Sequence, residues 1–276
     1  MNNFKNKIVY IIGGSSGIGL ATAKLLSEYG ANITIFSRDK QKLTRAANEI
    51  SKQCTTNHQT ITWMQMDVAD RSAVEQVLGL SVERHGIPNI LINCAGRSYP
   101  HHFEDIDYQQ FDETMKVNFY GLWHTTKVLV PLMKEKGGTI VNVSSLAGFV
   151  GVFGFTDYSA SKFAIMGFSE ALRSELKPLG IKVSVLCPPD TDTPSFEIEN
   201  KTKPEETRAI SGNAGLTQPE AVAKALVKGI QKNQPVIIPG FQGRMTYLAK
   251  RLVPTFVEWT MDRAIRQVQK KRVLEN

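Results

Sequence analysis

Seven short runs of apolar, largely β-branched residues recur along the chain, with stretches of helical period between them. The runs are Lys7–Ile12, Asn32–Phe36, Thr60–Met66, Ile90–Asn93, Thr139–Val143, Lys182–Leu186 and Val236–Ile238. Helical period covers about Gly17–Tyr29, Lys40–Ser51, Ser72–His85, Tyr108–Lys134, Ser159–Lys177 and Pro219–Gln231. Such alternation builds βαβ units around a parallel sheet, and near-continuous apolar strands are those covered on both faces. The expected fold is therefore doubly wound α/β, with a seven-stranded parallel sheet and helices on both faces. No repeat or linker divides the 276 residues, so a single domain over residues 1–240 is expected. Residues 190–217 are polar and Pro/Gly-punctuated, too long for a simple connection, and read as a substrate loop.

The first run ends in Gly13-Gly14-Ser15-Ser16-Gly17-Ile18-Gly19 and leads straight into a helical stretch. Glycines at 13, 17 and 19 allow a tight turn that aims free N–H groups and a helix N-terminus at a pyrophosphate. A Gly-rich loop alone is weak; its place between strand and helix makes this a Rossmann-type dinucleotide site. The second run ends in Phe36-Ser37-Arg38, with Lys42 one turn on. A carboxylate there would select the ribose 2′-OH; its absence beside two cations favours a 2′-phosphate, hence NADP(H). Asp39 reads as the cap of the next helix instead. Asp67-Val68 and Asn93-Cys94-Ala95-Gly96 follow the third and fourth strands at the same sheet edge, where ligands of open α/β sheets bind.

Tyr158 and Lys162 stand four apart on a helical stretch and so share a face. A phenol with pKa near ~10 needs its phenolate stabilised to act near neutral pH, and an ammonium one turn away can do that. Thirteen residues before Tyr158 the fifth strand ends in Val143-Ser144-Ser145, and a serine there can hydrogen-bond a substrate carbonyl. Asn118 lies within an otherwise core-facing helical stretch, where a polar side chain demands a partner.

With these residues the chain resembles the short-chain dehydrogenase/reductase family to about Gly240. The match comprises the GxxxGxG loop, Asn93–Gly96, the set Asn118, Ser145, Tyr158 and Lys162, and Pro188 through Thr193. The resemblance implies Tyr158 as acid/base and Lys162 as the group that lowers its pKa and holds the nicotinamide ribose. It implies Ser145 as the polarising hydroxyl, Ser144 lacking the family spacing, and Asn118 as support for a water relay. Gly13, Ser15, Ser16, Gly17, Ile18, Gly19, Arg38, Lys42, Asp67, Val68, Asn93, Ala95, Gly96, Pro188, Thr191 and Thr193 would contact the cofactor, with Tyr158 and Lys162. Two positions depart from the family pattern, Ile12 for a common Thr and Pro189 for the usual Gly.

Within the family, Pro188–Pro194, Phe196, Asn200–Pro204 and the segments flanking Tyr158 are similar to the 3-ketodihydrosphingosine reductases. That implies NADPH-dependent reduction of a long-chain lipid ketone, 3-oxosphinganine, to sphinganine. Phe149, Val150, Val152, Phe153 and Phe155 would supply apolar surface beside the reacting carbon, or pack the core or a subunit contact, and Asp190 and Asp192 are acids the loop offers to the substrate's 2-ammonium. A reductase of a steroid, retinoid or acyl ketone, and a non-catalytic nucleotide-binding scaffold, remain as alternatives.

Of the net charge of +7, +5 lies in residues 241–276, where eight Lys/Arg stand against three acids. The body is nearly neutral, which disfavours nucleic acid as a partner. In the tail, Leu248, Leu252, Val253, Phe256, Val257 and Trp259 interleave with Lys250, Arg251, Arg263 and Arg266, a basic amphipathic pattern suited to peripheral contact with an anionic membrane. Pro254 interrupts it, and packing in the protein is the competing use. Three scattered cysteines in no metal-ligand spacing fit a reduced, cytoplasmic setting without a metal, and the N-terminal residues hold no apolar stretch of membrane-spanning length, unlike the eukaryotic reductases. A homo-oligomer is expected.

Overall fold

In the computed structural model, which describes residues 4–212 and 215–275, seven parallel strands form one sheet in the order β3-β2-β1-β4-β5-β6-β7. They are β1 Ile8–Ile12, β2 Asn32–Ser37, β3 Ile61–Gln65, β4 Ile90–Asn93, β5 Gly138–Val143, β6 Ile181–Leu186 and β7 Val236–Ile237. The two-residue alternation of β1 explains the layering. Val9 and Ile11 join one apolar layer with Leu26, Leu43 and Leu226 of α1 (Gly17–Glu28), α2 (Lys40–Ser51) and α9 (Pro219–Gln231). Tyr10 and Ile12 face the other layer, with Leu78, Leu129 and Leu176 of α3 (Arg71–His85), α5 (Gly121–Met133) and α6 (Thr156–Leu176). Strand side chains point alternately to opposite faces, so each strand serves both cores.

The order reverses between β1, which leads to β2, and β4, which leads to β5. That switch opens a crevice at the carboxyl edge of the sheet, the place where such folds bind ligands.

Three elements differ from the sequence reading. The single helical stretch expected over residues 108–134 is α4 (Tyr108–Met115), one π-helical turn at Lys116–Tyr120, and α5. The helix expected to begin at Ser159 begins at Thr156, so Tyr158 lies within its first turn. The loop 190–217 is largely helical, with α7 (Pro194–Thr202) and α8 (Glu205–Ser211) closed off by a bridge between Thr191 and Thr217.

The tail forms α10 (Phe241–Leu252) and α11 (Pro254–Glu275). Pro254 breaks the tail as expected and then opens α11, a first-turn position where its missing N–H is not needed. Arg272 of α11 pairs with the buried Glu206 of α8 at 3.3 Å, and Val257 is buried, so the tail packs on the loop. No helix among the described residues is long and apolar enough to cross a membrane.

Candidate active site

One cavity of about 830 Å³ runs along the crevice. Of the expected cofactor contacts, its lining includes Gly13, Ser15, Ser16, Gly17, Ile18, Arg38, Lys42, Val68, Ala95, Gly96, Pro188, Thr191 and Thr193. Ser145, Tyr158 and Lys162 line it as well.

The glycine loop takes the shape its sequence requires. Gly13 has φ +81°, and a Cβ there would come within 2.7 Å of the Ala95 nitrogen. Gly17 has φ +52°, and its Cβ would press on Thr193 Cγ2 at 2.9 Å. Both positions need glycine for handedness and for close approach. Ser16 caps α1 in extended conformation without a side-chain capping bond, so its hydroxyl does not occupy the helix N-terminus that opens beside the cavity. This cradle fits a pyrophosphate. Gly19 is not part of the lining; it lets α1 pass close to the Gly13 carbonyl.

At the β2 end, Asp39 accepts from Lys42 N at 3.0 Å and caps α2. Its carboxyl is held below the usual range, first by that backbone bond. Arg38 and Lys42 reach into the cavity, with Arg38 Nη1 3.8 Å from Asp67 Oδ2. Asp67 itself is outside the lining and accepts from Ala69 N at 2.9 Å. Asn93 is also outside: its buried amide donates to Asn142 Oδ1 at 2.9 Å and accepts from Thr125 Oγ1 at 2.8 Å. Its side chain is thus part of a polar network tying β4 to β5 and α5, which leaves its backbone as the part that could meet a cofactor.

The two adjacent serines have different duties. Ser144 is buried and donates to the Lys162 carbonyl at 2.9 Å, fastening β5 to α6. Ser145 lies in the cavity, accepts from Ala147 N at 3.2 Å and hydrogen-bonds Tyr158. Burial raises the Tyr158 pKa well above that of a free phenol, the negative charge of Glu199 adds to this, and the Ser145 bond works against it. The Lys162 ammonium sits 5.5 Å from the Tyr158 ring centroid and donates to Val143 O at 3.0 Å. Its pKa falls to about 8, chiefly through burial.

Asn118 occupies the π turn, a distortion frequent at functional sites. It accepts from Arg97 N at 2.8 Å and donates to Arg97 O at 3.0 Å and Ser161 Oγ at 2.9 Å. It thereby holds the strap after β4 against α6. A Cβ at Gly96 would lie 3.4 Å from Asn118 Oδ1 and 3.5 Å from Lys162 Nζ, so Gly96 is where these two groups converge.

Of the apolar residues before Tyr158, Val150, Val152 and Phe155 line the cavity. Phe149 packs edge-on against Tyr247 of α10 at 5.0 Å, and Phe153 against His102 at 5.4 Å. The tail completes the wall with Met245, Ala249, Phe256, Val257 and Met261. Asp190 lines the cavity and pairs with Lys203 at 3.2 Å, whereas Asp192 is exposed and accepts from Gln218.

Two residues escaped the sequence reading. Asp157, fully buried, accepts from Tyr158 N at 2.7 Å and Thr114 Oγ1 at 2.8 Å, fixing the helix end that carries Tyr158. Glu199 lines the cavity within electrostatic reach of Tyr158; its spacing of four from Lys203 on a helical stretch was the available signal.

The family model described as short chain dehydrogenase matches residues 7–204. The chain belongs to the short-chain dehydrogenase family. Among curated members, the 3-dehydrosphinganine reductase of Danio rerio is 46% identical over 222 residues, 80% of this chain and 67% of that protein. The 3-ketodihydrosphingosine reductase of Mus musculus is 44% identical over 228 residues, 82% of this chain and 69% of that one. Among solved structures, levodione reductase superposes with a TM-score of 0.79 at 23% identity, covering 88% of this chain and 99% of the other. A short-chain dehydrogenase/reductase from Burkholderia phymatum in complex with NAD gives 0.79 at 22% identity, covering 94% and 97%. These two share the fold with the present short-chain dehydrogenase.

Proposed function

We propose that this short-chain dehydrogenase reduces the 3-keto group of 3-oxosphinganine to sphinganine with NADPH. The observation that carries the reading is the continuity of the cavity. One end holds the glycine cradle with Arg38 and Lys42, the middle holds Ser145, Tyr158 and Lys162, and an apolar wall follows. The likeness to reductases of this ketone at 44% and 46% identity supports the choice of substrate.

Arg38 and Lys42 would hold the 2′-phosphate and the α1 N-terminus the pyrophosphate, with Gly13, Ile18, Ala95, Gly96, Pro188, Thr191 and Thr193 packed along the dinucleotide. When bound, the cofactor supplies the hydride to the carbonyl carbon. Ser145 donates a hydrogen bond to the ketone oxygen and orients it. Tyr158, kept protonated by burial, gives its proton to that oxygen as it becomes an alcohol. The Lys162 ammonium stands where it offsets the negative charge left on Tyr158, and it would anchor the nicotinamide ribose. Asn118 positions these groups by tying Arg97 to Ser161.

The alkyl chain leaves past Val150, Val152 and Phe155 toward α10 and α11, where Phe241, Leu252, Phe256 and Trp259 are exposed beside the tail's cations. That rim suits peripheral contact with a lipid surface. Tyr120, Trp123 and Phe163, half-exposed on the π turn, α5 and α6, support a homo-oligomer through that face. The test is NADPH consumption by the purified protein with 3-oxosphinganine against a panel of steroid and acyl ketones. Faster turnover of a panel member would replace the substrate assignment.

A further inference from the structure

The part of the cavity wall that holds Asp190, Phe196 and Glu199 carries an unbalanced set of charges. Lys203 is almost wholly buried, 2% exposed at its side chain, and its ammonium meets Glu199 at 2.8 Å and Asp190 at 3.2 Å. The same ammonium lies 4.7 Å from the Phe196 ring centroid and 5.7 Å from that of Phe155, which in turn rests 5.4 Å from Tyr158. Two carboxylates therefore face one buried cation at the wall that abuts the proposed proton donor. Of the other cations that line the cavity, Lys162 is engaged by the Val143 carbonyl and Arg97 by Glu113. Arg38 and Lys42 stand at the far, β2 end.

Glu199 is the more enclosed acid, 13% exposed at its side chain against 34% for Asp190. Both charges act on Tyr158, and that of Glu199 acts more strongly. Burial raises the Glu199 pKa, and Lys203 opposes that rise without completing the balance. A buried charge without full compensation is costly, so a ligand cation seated here would gain what the protein leaves unmet.

We infer that Glu199, with Asp190 behind Lys203, binds the substrate's ammonium group and so selects ketones that carry an amine on the carbon next to the carbonyl. This rests on the proposed substrate and assigns its recognition to a residue outside the cofactor and proton-transfer set. The geometry suits it: an amine one carbon from the carbonyl must lie close to any ketone oxygen held by Ser145 and Tyr158. Glu199 is a specificity-determining residue; the proton still comes from Tyr158.

The experiment compares 3-oxosphinganine with the long-chain 3-ketone of equal length that lacks the 2-amino group, by kcat/KM with NADPH. The unmutated enzyme should favour the amine by about 10- to 100-fold, the range of one charge-assisted contact. Glu199→Gln should bring that ratio close to one, and Glu199→Asp, which keeps the charge, should restore much of it. NADPH binding, followed by fluorescence, reports whether each variant is folded. A Glu199→Gln enzyme that keeps the amine preference overturns the inference, as does an equal loss on both ketones. A wild-type enzyme that reduces both ketones equally sinks the inference but leaves the ketone assignment standing. One that reduces neither removes both.

Discussion

The ammonium of Lys162 lies 5.5 Å from the ring centroid of Tyr158, yet the hydrogen bond it makes is to the backbone of Val143, at 3.0 Å. The cation is thus anchored to the sheet edge, beside the phenol rather than bonded to it. Burial leaves Tyr158 protonated, the form a reductase needs before the chemical step. The nearby cation matters once the proton has left. Burial thus fills the protonated form, and the Lys162 charge is what stands near the phenol to offset the phenolate once the proton has moved to the substrate oxygen.

Tyr158→Phe should therefore reduce kcat by at least about 10³-fold, because general acid transfer and the oxygen's hydrogen-bond donor are lost together. NADPH affinity should change little, since the cradle and Arg38 are untouched. Lys162→Ala should lower both. Stopped-flow reduction and cofactor fluorescence separate the two effects, and near-normal turnover by the Tyr158 variant would assign the proton to another group.

The lysine also sets a pH limit. Its pKa in the cofactor-free protein is about 8, so the ammonium is present below that value and is lost as pH rises through it. Because kcat/KM for NADPH reports the enzyme before it binds cofactor, its alkaline limb should fall with a midpoint near 8. Tyr158, with its raised pKa, stays protonated across that range and contributes no limb there. A profile flat to pH 10 would show that Lys162's charge is not required.

The parallel sheet was legible because strands buried on both faces leave an unmistakable apolar imprint, and each strand end placed its motif at the correct edge. Tyr158 and Lys162 were legible because four residues is one helical turn. The bonds of the buried Asn93 side chain to Asn142 and Thr125 were not legible, because the partners lie on β5 and α5 and leave no local pattern. Residues 190–217 read as loop because α7 and α8 are short, and their helicity depends on packing against Phe153 and α11, neither of which is local information. Glu199 was hidden for the same reason: its importance arises from burial beside Tyr158, and periodicity does not reveal that.

Cofactor choice follows from the β2 end. Arg38 and Lys42 face the cavity, while Asp39 is committed to capping α2 and takes no part as a ribose acid. Arg38→Asp should lower the NADPH/NADH preference by about 10- to 100-fold, combining a lost charge-assisted contact with a new repulsion toward the 2′-phosphate. Steady-state kcat/KM with both cofactors measures it. Equal efficiency of the unmutated enzyme with NADH and NADPH would remove the argument at its base.

The tail is the remaining case, and here packing and membrane contact turn out to be compatible. Val257 and Phe256 help wall the cavity, and Arg272 is tied to Glu206, so removing residues 241–276 would open the substrate site and destabilise α8. Truncation is consequently a poor test of membrane binding. Phe241 and Leu252 are better targets, being 75% and 72% exposed and outside the cavity lining. Lys250 and Arg251 lie close by in sequence, in the last turn of α10. Apolar groups that enter the interface and cations near an anionic leaflet reinforce each other, at about 1 kcal/mol per cation, and the second contribution is screened by salt. Sedimentation with phosphatidylserine-containing vesicles should show binding that weakens as salt is raised. Phe241→Glu combined with Leu252→Glu should weaken it by roughly tenfold or more while leaving the melting temperature within a few degrees. If the unmutated protein ignores these vesicles at low salt, or the double variant binds them equally well, α10 and α11 serve only to close the cavity, and the substrate must reach it by another route.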